Sequence, residues 1–296
     1  MGNTTGVINL ENQYLKVAIH PKGAELQSVF HKGNQLEYMW DGNPALWGKH
    51  SPLLFPIVGT VKNDTYYYQG KTYSLSRHGF ARDMEFAVEK QGADHVTFLL
   101  RSNEETLRNF PFVFELRVTY RLAQHETVTT SYSVKNLSGN DMYFSIGAHP
   151  AFKVPLVEGT DYTDYYLEFN QEETAPRWPI SKDGLIENTP ASFLNTSRRI
   201  SLTKQLFAAD ALVFKGLAST AVRLRSDKTS HGLGVAFPEF PFLGIWAAKN
   251  ADFVCIEPWC GIADGVDASQ QLTDKEGVIQ LPSAGDFERS WILSVY

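Results

Sequence analysis

The chain has 296 residues, 43% of them hydrophobic and 20% charged, an ordinary globular balance that excludes a disordered or membrane-embedded class. Its formal net charge of -6 and pI near 5.8 argue against nucleic acid as a partner, because binding a phosphate backbone leaves a basic stripe on a domain. Met1 to Leu10 has no basic stretch leading into an apolar one, and no apolar run approaches membrane-spanning length, so a cytoplasmic protein with no membrane contact is expected.

Short β-branched and aromatic runs separated by turn residues predict an antiparallel β protein. The opening strands are expected at Val7–Leu10, Leu15–His20 and Glu25–His31, with a turn at Gly33-Asn34 before Leu36–Trp40. Lys71–Leu75 reads as a further strand. Met84–Lys90 and His95–Arg101 flank Gly92-Ala93-Asp94 as a hairpin, and Phe112–Leu122 and Thr127–Asn136 repeat the form around Gln124-His125-Glu126. Two short helices are expected, Glu104–Asn109 and Thr203–Ala208. No linker, low-complexity stretch or repeat interrupts the chain, so residues 1–296 are expected to form one domain. About 20 strands of ordinary length would fill it, too many for one flat sheet, so the fold class is all-β: a large antiparallel β-sandwich with a few short helices. Cys255 and Cys260 have no histidine at zinc-ligand spacing and are read as buried free thiols.

Three segments place ionisable groups among apolar residues: Ser51–Gly59 with Ser76–Arg82, Ser145–Phe152, and Phe253–Trp259. Such surroundings pull histidine and glutamate toward the neutral pKa values that acid–base work needs. Read as one strand, Met142–His149 puts Met142, Phe144, Ile146 and Ala148 on a core face and Tyr143, Ser145, Gly147 and His149 on the other. Ser145 and Gly147 are small enough to leave space for a ligand beside His149. The residue before a proline is held extended, so Pro150 sets the direction of the His149 side chain. The alternative is a core histidine satisfied by a carbonyl.

Glu257 lies on one face with Phe253, Cys255 and Trp259, and precedes Pro258. A buried carboxylate must be paired, protonated or part of a cleft, and a structural ion pair with Arg77, Arg82 or a histidine is the alternative reading. His78 falls on a loop after the Lys71–Leu75 strand, where a surface role and a site role are equally open. Asp210, within Phe207–Phe214, reads either as a turn cap or as a cleft residue. His78, His149 and Glu257 lack the close spacing of a metal site, and no phosphate loop, nucleophile elbow or dinucleotide fingerprint is present, so neither metal nor cofactor is expected.

Pro52–Gly59, Tyr68–Arg82, Gly147–Phe152, Asp210–Phe214 and Cys255–Trp259 stand here in the order of the aldose 1-epimerase (mutarotase) superfamily, which the chain resembles from about Val7 to its C-terminus. The likeness is greatest to the LacX-type branch. The resemblance implies a galactose-mutarotase-like sandwich with a sugar in a cleft across one sheet. It also implies Glu257 as general base, His149 as general acid, His78 as a second imidazole polarising the sugar, and Asp210 with an arginine as hydroxyl binders. The sequence departs from many mutarotases at Thr60, where they carry an arginine after the glycine matching Gly59. Arg77, Arg82 and Lys62 are the candidates for that contact.

The activity implied is interconversion of the α and β anomers of a hexose. Glu257 takes the anomeric hydroxyl proton while His149, cationic at that moment, protonates the ring oxygen. The ring opens, the aldehyde turns, and the ring recloses. Trp246, Trp259 and Phe80 are expected to stack on the sugar. The implied partner is a small sugar, by default a neutral hexose such as galactose or glucose. A hexose 6-phosphate is the alternative, with Arg77, Arg82, Lys49, His50 and Lys62 as nearby cations unless these pair with Glu257, Asp83 and Glu85. A non-catalytic sugar-binding protein and a two-carboxylate glycoside hydrolase using Glu257 and Asp210 are the other classes. Monomer and homodimer are both compatible with the sequence.

Overall fold

The computed structural model describes residues 6–123 and 125–296. Two large sheets dominate. The first has nine antiparallel strands in the order Ser197–Ser201, Tyr165–Glu173, Ala221–Ser226, Thr229–Ala236, Asp286–Val295, Thr127–Asn136, Phe114–Leu122, His95–Arg101 and Ala87–Gln91. Side chains along Phe114–Leu122 and Thr127–Asn136 alternate between buried and partly exposed, as expected of strands with one face on a core. The second sheet runs Leu212–Lys215, Phe242–Trp246, Phe253–Cys260, Ile146–Ala148 and Leu53–Leu54, with Ala151–Lys153 added beside Phe253–Cys260. Residues of both sheets join one hydrophobic core. Sheets of four, two and two strands complete the antiparallel β-sandwich.

The expected strands Leu15–His20, Glu25–His31, His95–Arg101 and Thr127–Asn136 appear with those bounds, as does the helix Glu104–Asn109, capped by Asn103 and Thr106. The Thr203–Ala208 segment forms a 3₁₀ turn over Lys204–Phe207 instead of an α-helix. Several strands start later than expected, at Ile8, Ala87 and Phe114. Gln124, in the second expected hairpin turn, lies outside the described residues. Both cysteines are free and buried. No helix among the described residues is long and apolar enough to cross a membrane.

Two expected strands are divided, each because the chain changes hydrogen-bonding partner partway. Leu36–Trp40 is laddered to Glu25–His31 over Leu36–Glu37, and Tyr38 N–H adds a last bond to Val29 O at 3.1 Å. Trp40 then donates to Ala151 O, and Lys153 donates to Tyr38 O. Met142–His149 breaks at Ser145: Met142–Phe144 pairs with Ile279–Leu281, whereas Ile146–Ala148 enters the second large sheet. The Ser145 N–H between them bonds Pro56 O at 2.7 Å.

Candidate active site

The centre of the second sheet is Phe253–Cys260, whose eight residues are all buried. Two short stretches run along one of its edges. Gly147 lies opposite Trp259 and Ala151 opposite Cys255, so the register is unbroken and His149 falls opposite Glu257. Neither Pro150 nor Pro258 has an N–H to donate, and regular ladder bonding lapses around this pair. His149 Nε2 lies 3.3 Å from Glu257 Oε2. The spacing follows from the pleat, which brings facing residues of an antiparallel pair onto one side of the sheet.

Gly244 lies opposite Glu257 on the other flank. A β-carbon there would come within 2.3 Å of the Trp259 ring, and one at Gly147 within 2.7 Å of it. These glycines are therefore covered by the Trp259 indole. The space beside Gly147 that the sequence suggested for a ligand is filled by that ring, and the Cβ and Oγ of Ser145 are what a β-carbon at Gly261 would strike.

His78 is buried, so the surface reading fails. Its backbone has φ 70°, a left-handed conformation uncommon for a residue other than glycine. Two bonds to Gly59 hold it: His78 N–H donates to Gly59 O at 2.8 Å, and Gly59 N–H donates to His78 Nδ1 at 3.1 Å. Accepting at Nδ1 leaves the proton of the neutral ring on Nε2. The His78 and His149 rings meet edge to face at 5.6 Å. Trp47 stacks over His149 at 5.1 Å, and Trp246 meets it edge-on at 5.7 Å.

These residues line a cavity of about 430 Å³ with Arg77, Arg82, Asp210, Phe207, Ile180 and Ile186. Arg77 Nη2 lies 3.8 Å from Asp210 Oδ1, and Asp210 accepts its neighbour's Ala211 N–H at 2.7 Å, so it is both a turn residue and a cleft residue. Arg82 donates to Arg77 O at 2.9 Å and lies 3.6 Å from Asp83. Lys62 is turned away, its Nζ bonded to Val266 O. A β-carbon at Gly184 would lie 2.8 Å from Thr60 Oγ1 and 3.9 Å from Arg77 Nη1, so Arg77 reaches the neighbourhood of Thr60.

Phe80 is misplaced by the sequence reading. Its ring packs with Phe55, Phe110 and Phe114 in the core and does not line the cavity, because the turn after His78 points the next aromatic inward. Trp47, Phe207, Ile180 and Ile186 were missed. No periodic pattern marks Trp47, which reaches His149 only through tertiary packing.

Burial sets the charge states. It pushes the His149 imidazole down to about 3, with Arg77 and Arg82 adding to the effect against an opposing contact with its own backbone. His78 is held well below the ordinary histidine range by burial, then by His149 and the two arginines. Burial raises the Glu257 carboxyl well above the usual range, with Arg77 and the Trp259 indole pulling it back and Asp210 pushing it up. Burial thus disfavours the charged forms of both imidazoles and of the Glu257 carboxyl in the ligand-free cleft.

The family description Aldose 1-epimerase matches residues 6–277. The chain is 37% identical to Protein LacX, chromosomal, of Lactococcus lactis subsp. lactis over 300 residues, 97% of this chain and 99% of that protein. A galactose mutarotase related enzyme from Lactobacillus acidophilus superposes with a TM-score of 0.93 at 38% identity, covering 98% of this chain and 97% of that one. A galactose mutarotase-like protein from Lactobacillus casei gives 0.92 at 31% identity, covering 98% and 100%. Sequence and fold agree across nearly the whole length, and the chain belongs to the aldose 1-epimerase family of isomerases.

Proposed function

We propose that the protein interconverts the α and β anomers of a neutral aldohexose, with Glu257 and His149 as the proton-transfer pair. The observation that carries the reading is their facing position, 3.3 Å apart, beside a cavity lined by a second imidazole and by Arg77, Asp210 and three tryptophans. Anomer exchange needs one proton removed from the anomeric hydroxyl and one delivered to the ring oxygen. The pair holds one proton to give and one site to receive. As a sugar displaces water, its hydroxyls replace lost solvation, and the proton passes from Glu257 to His149 without changing the net charge of the pair. Glu257 then accepts from the anomeric hydroxyl as His149 protonates the ring oxygen. The C1–O5 bond breaks, and the aldehyde turns about the C1–C2 bond. Both transfers then reverse on its other face. His78 donates from Nε2 to a sugar oxygen, Arg77 and Asp210 hold hydroxyls, and Trp246 and Trp259 cover the apolar face of the ring.

The neutral sugar is preferred over a hexose phosphate because both cleft arginines have carboxylate neighbours, Asp210 for Arg77 and Asp83 for Arg82. Lys49 is committed to Asp83 at 2.8 Å.

The test is anomer exchange followed by saturation transfer. Galactose or glucose should exchange at least as fast as galactose 6-phosphate, with little salt dependence. Glu257→Gln keeps the shape and removes the base, so the rate should fall about 10² to 10⁴-fold, with a comparable loss in His149→Asn. Near-wild-type exchange in Glu257→Gln would sink the assignment.

A further inference from the structure

Cys255 has no part in the proton transfers, yet it stands next to them. It precedes Glu257 by two residues on the same strand, so both side chains leave the same face of the sheet. A ring nitrogen of His149, the Cys255 sulfur and a carboxylate oxygen of Glu257 all lie within 4.8 Å of one another. The three residues are 8%, 0% and 1% exposed, so bulk water does not compete for their ligand atoms.

One nitrogen, one sulfur and one oxygen donor are a set that zinc accepts, with bonds of about 2.0–2.3 Å and a tetrahedral arrangement. Such bonds put neighbouring ligand atoms roughly 3.3–3.8 Å apart. The His149–Glu257 contact, at 3.3 Å, already has that spacing. The Cys255 sulfur, within 4.8 Å of both partners, has to close by about 1 Å to reach that spacing. His149 and Glu257 also line the cavity, which supplies the way in and space for a water as fourth ligand.

We propose that His149, Cys255 and Glu257 form an inhibitory site for a thiophilic divalent cation of the Zn²⁺ class. The ion takes the lone pairs that the acid–base pair uses: a Glu257 oxygen bound to metal does not accept the anomeric proton, and a metal-bound His149 nitrogen carries none. Binding displaces two protons to solvent, the thiol proton of Cys255 and the one held by the His149–Glu257 pair, since thiolate, carboxylate and neutral imidazole are the ligands. Inhibition rests on the function proposed above; metal binding does not.

The experiment uses the full chain and Co²⁺ as a spectroscopic probe, with Zn²⁺ as competitor. The expected result is one Co²⁺ per chain, with tetrahedral absorption and a thiolate-to-cobalt charge-transfer band, both displaced by Zn²⁺. Cys255→Ala should lose the band and bind at least about tenfold more weakly, with anomer exchange within about threefold of wild type and no longer inhibited by Zn²⁺. Cys260→Ala should behave as wild type. Should Cys255→Ala fail to fold, Cys255→Ser and Glu257→Gln, read by the cobalt spectrum alone, test the same ligands. A cobalt spectrum without a thiolate band, or one unchanged in Cys255→Ala, overturns the site. The thiolate band together with uninhibited exchange overturns the inhibitory role. A chain with no anomer exchange at all still reports the metal through its spectrum, so failure of the site and failure of the proposed function are distinguishable.

Discussion

His149 owes its properties to its enclosure. Trp47 covers one face of the ring, Trp246 and His78 meet it edge-on, and among the described residues its Nδ1 has no partner outside its own residue. Burial disfavours a positive charge there, and the imidazole is pushed down to about 3. His78 is constrained in the same direction, because protonating Nδ1 would break the bond it accepts from Gly59. A lowered histidine stays neutral as pH falls through 6.5, where an ordinary one charges. The acid limb of kcat/KM should therefore lie far below 6.5, and anomer exchange at about pH 5 should stay within about twofold of that at pH 7. A pH–rate profile falling with a midpoint between about 6 and 7 would contradict the neutral pair. Glu257 and His149 were legible from sequence because each sits in an apolar run ahead of a proline. Trp47 was not, since it comes from a loop whose own pattern says nothing of what it covers.

The strand Phe253–Cys260 organises the site as an element. It receives His149 along one edge and Gly244 along the other, and the missing side chains at Gly147 and Gly244 let the Trp259 indole lie flat over the sheet. Gly244→Ala forces a methyl into that ring, at 2.3 Å from its nearest carbon. The ring has to move, and because it lines the cleft the sugar loses a surface. The variant should fold with a loss of about 1–3 kcal/mol, as for other overpacked sites, and with a raised KM. Urea unfolding and initial-rate kinetics check both; wild-type stability with wild-type KM would mean the indole does not lie there. The period-two pattern of Phe253–Trp259 placed Glu257 and Trp259 on one face. It could not tell that Met142–His149 would change sheets at Ser145, because that break depends on a carbonyl from Pro56.

At the scale of the molecule, segments distant in sequence are tied together beside the cleft by Asp264. Its N–H donates to Thr60 O at 2.9 Å and its carbonyl accepts from Ile186 N–H at 2.8 Å. One carboxylate oxygen accepts from Lys62 N–H at 2.9 Å, and the other meets Lys275 Nζ at 2.7 Å with side-chain exposures of 3% and 5%. Removing one partner of so enclosed a pair leaves the other charge buried alone. Lys275→Met should cost about 3–5 kcal/mol in urea unfolding, and adding Asp264→Leu should restore much of it. A loss under about 1 kcal/mol would show that the lysine contributes little. The strand Asp286–Val295 has a similar integrating role: last in sequence, it lies between Thr127–Asn136 and Thr229–Ala236 inside the nine-stranded sheet.

What the sequence determined by itself was local and periodic. Alternating side chains, turn residues and paired prolines were enough for an antiparallel β fold, for many of its strands and for the apolar setting of Glu257 and His149, since each depends on neighbours within a few residues. The tertiary structure decided which strands pair, and with that which groups meet. It put His149 opposite Glu257, buried a histidine that the chain alone left on a loop, turned Phe80 into the core and brought in Trp47. It also enclosed the carboxyl and both imidazoles, which disfavours their charged forms. Those outcomes follow from registers and burial created by residues far apart in the chain, and local pattern carries no record of them.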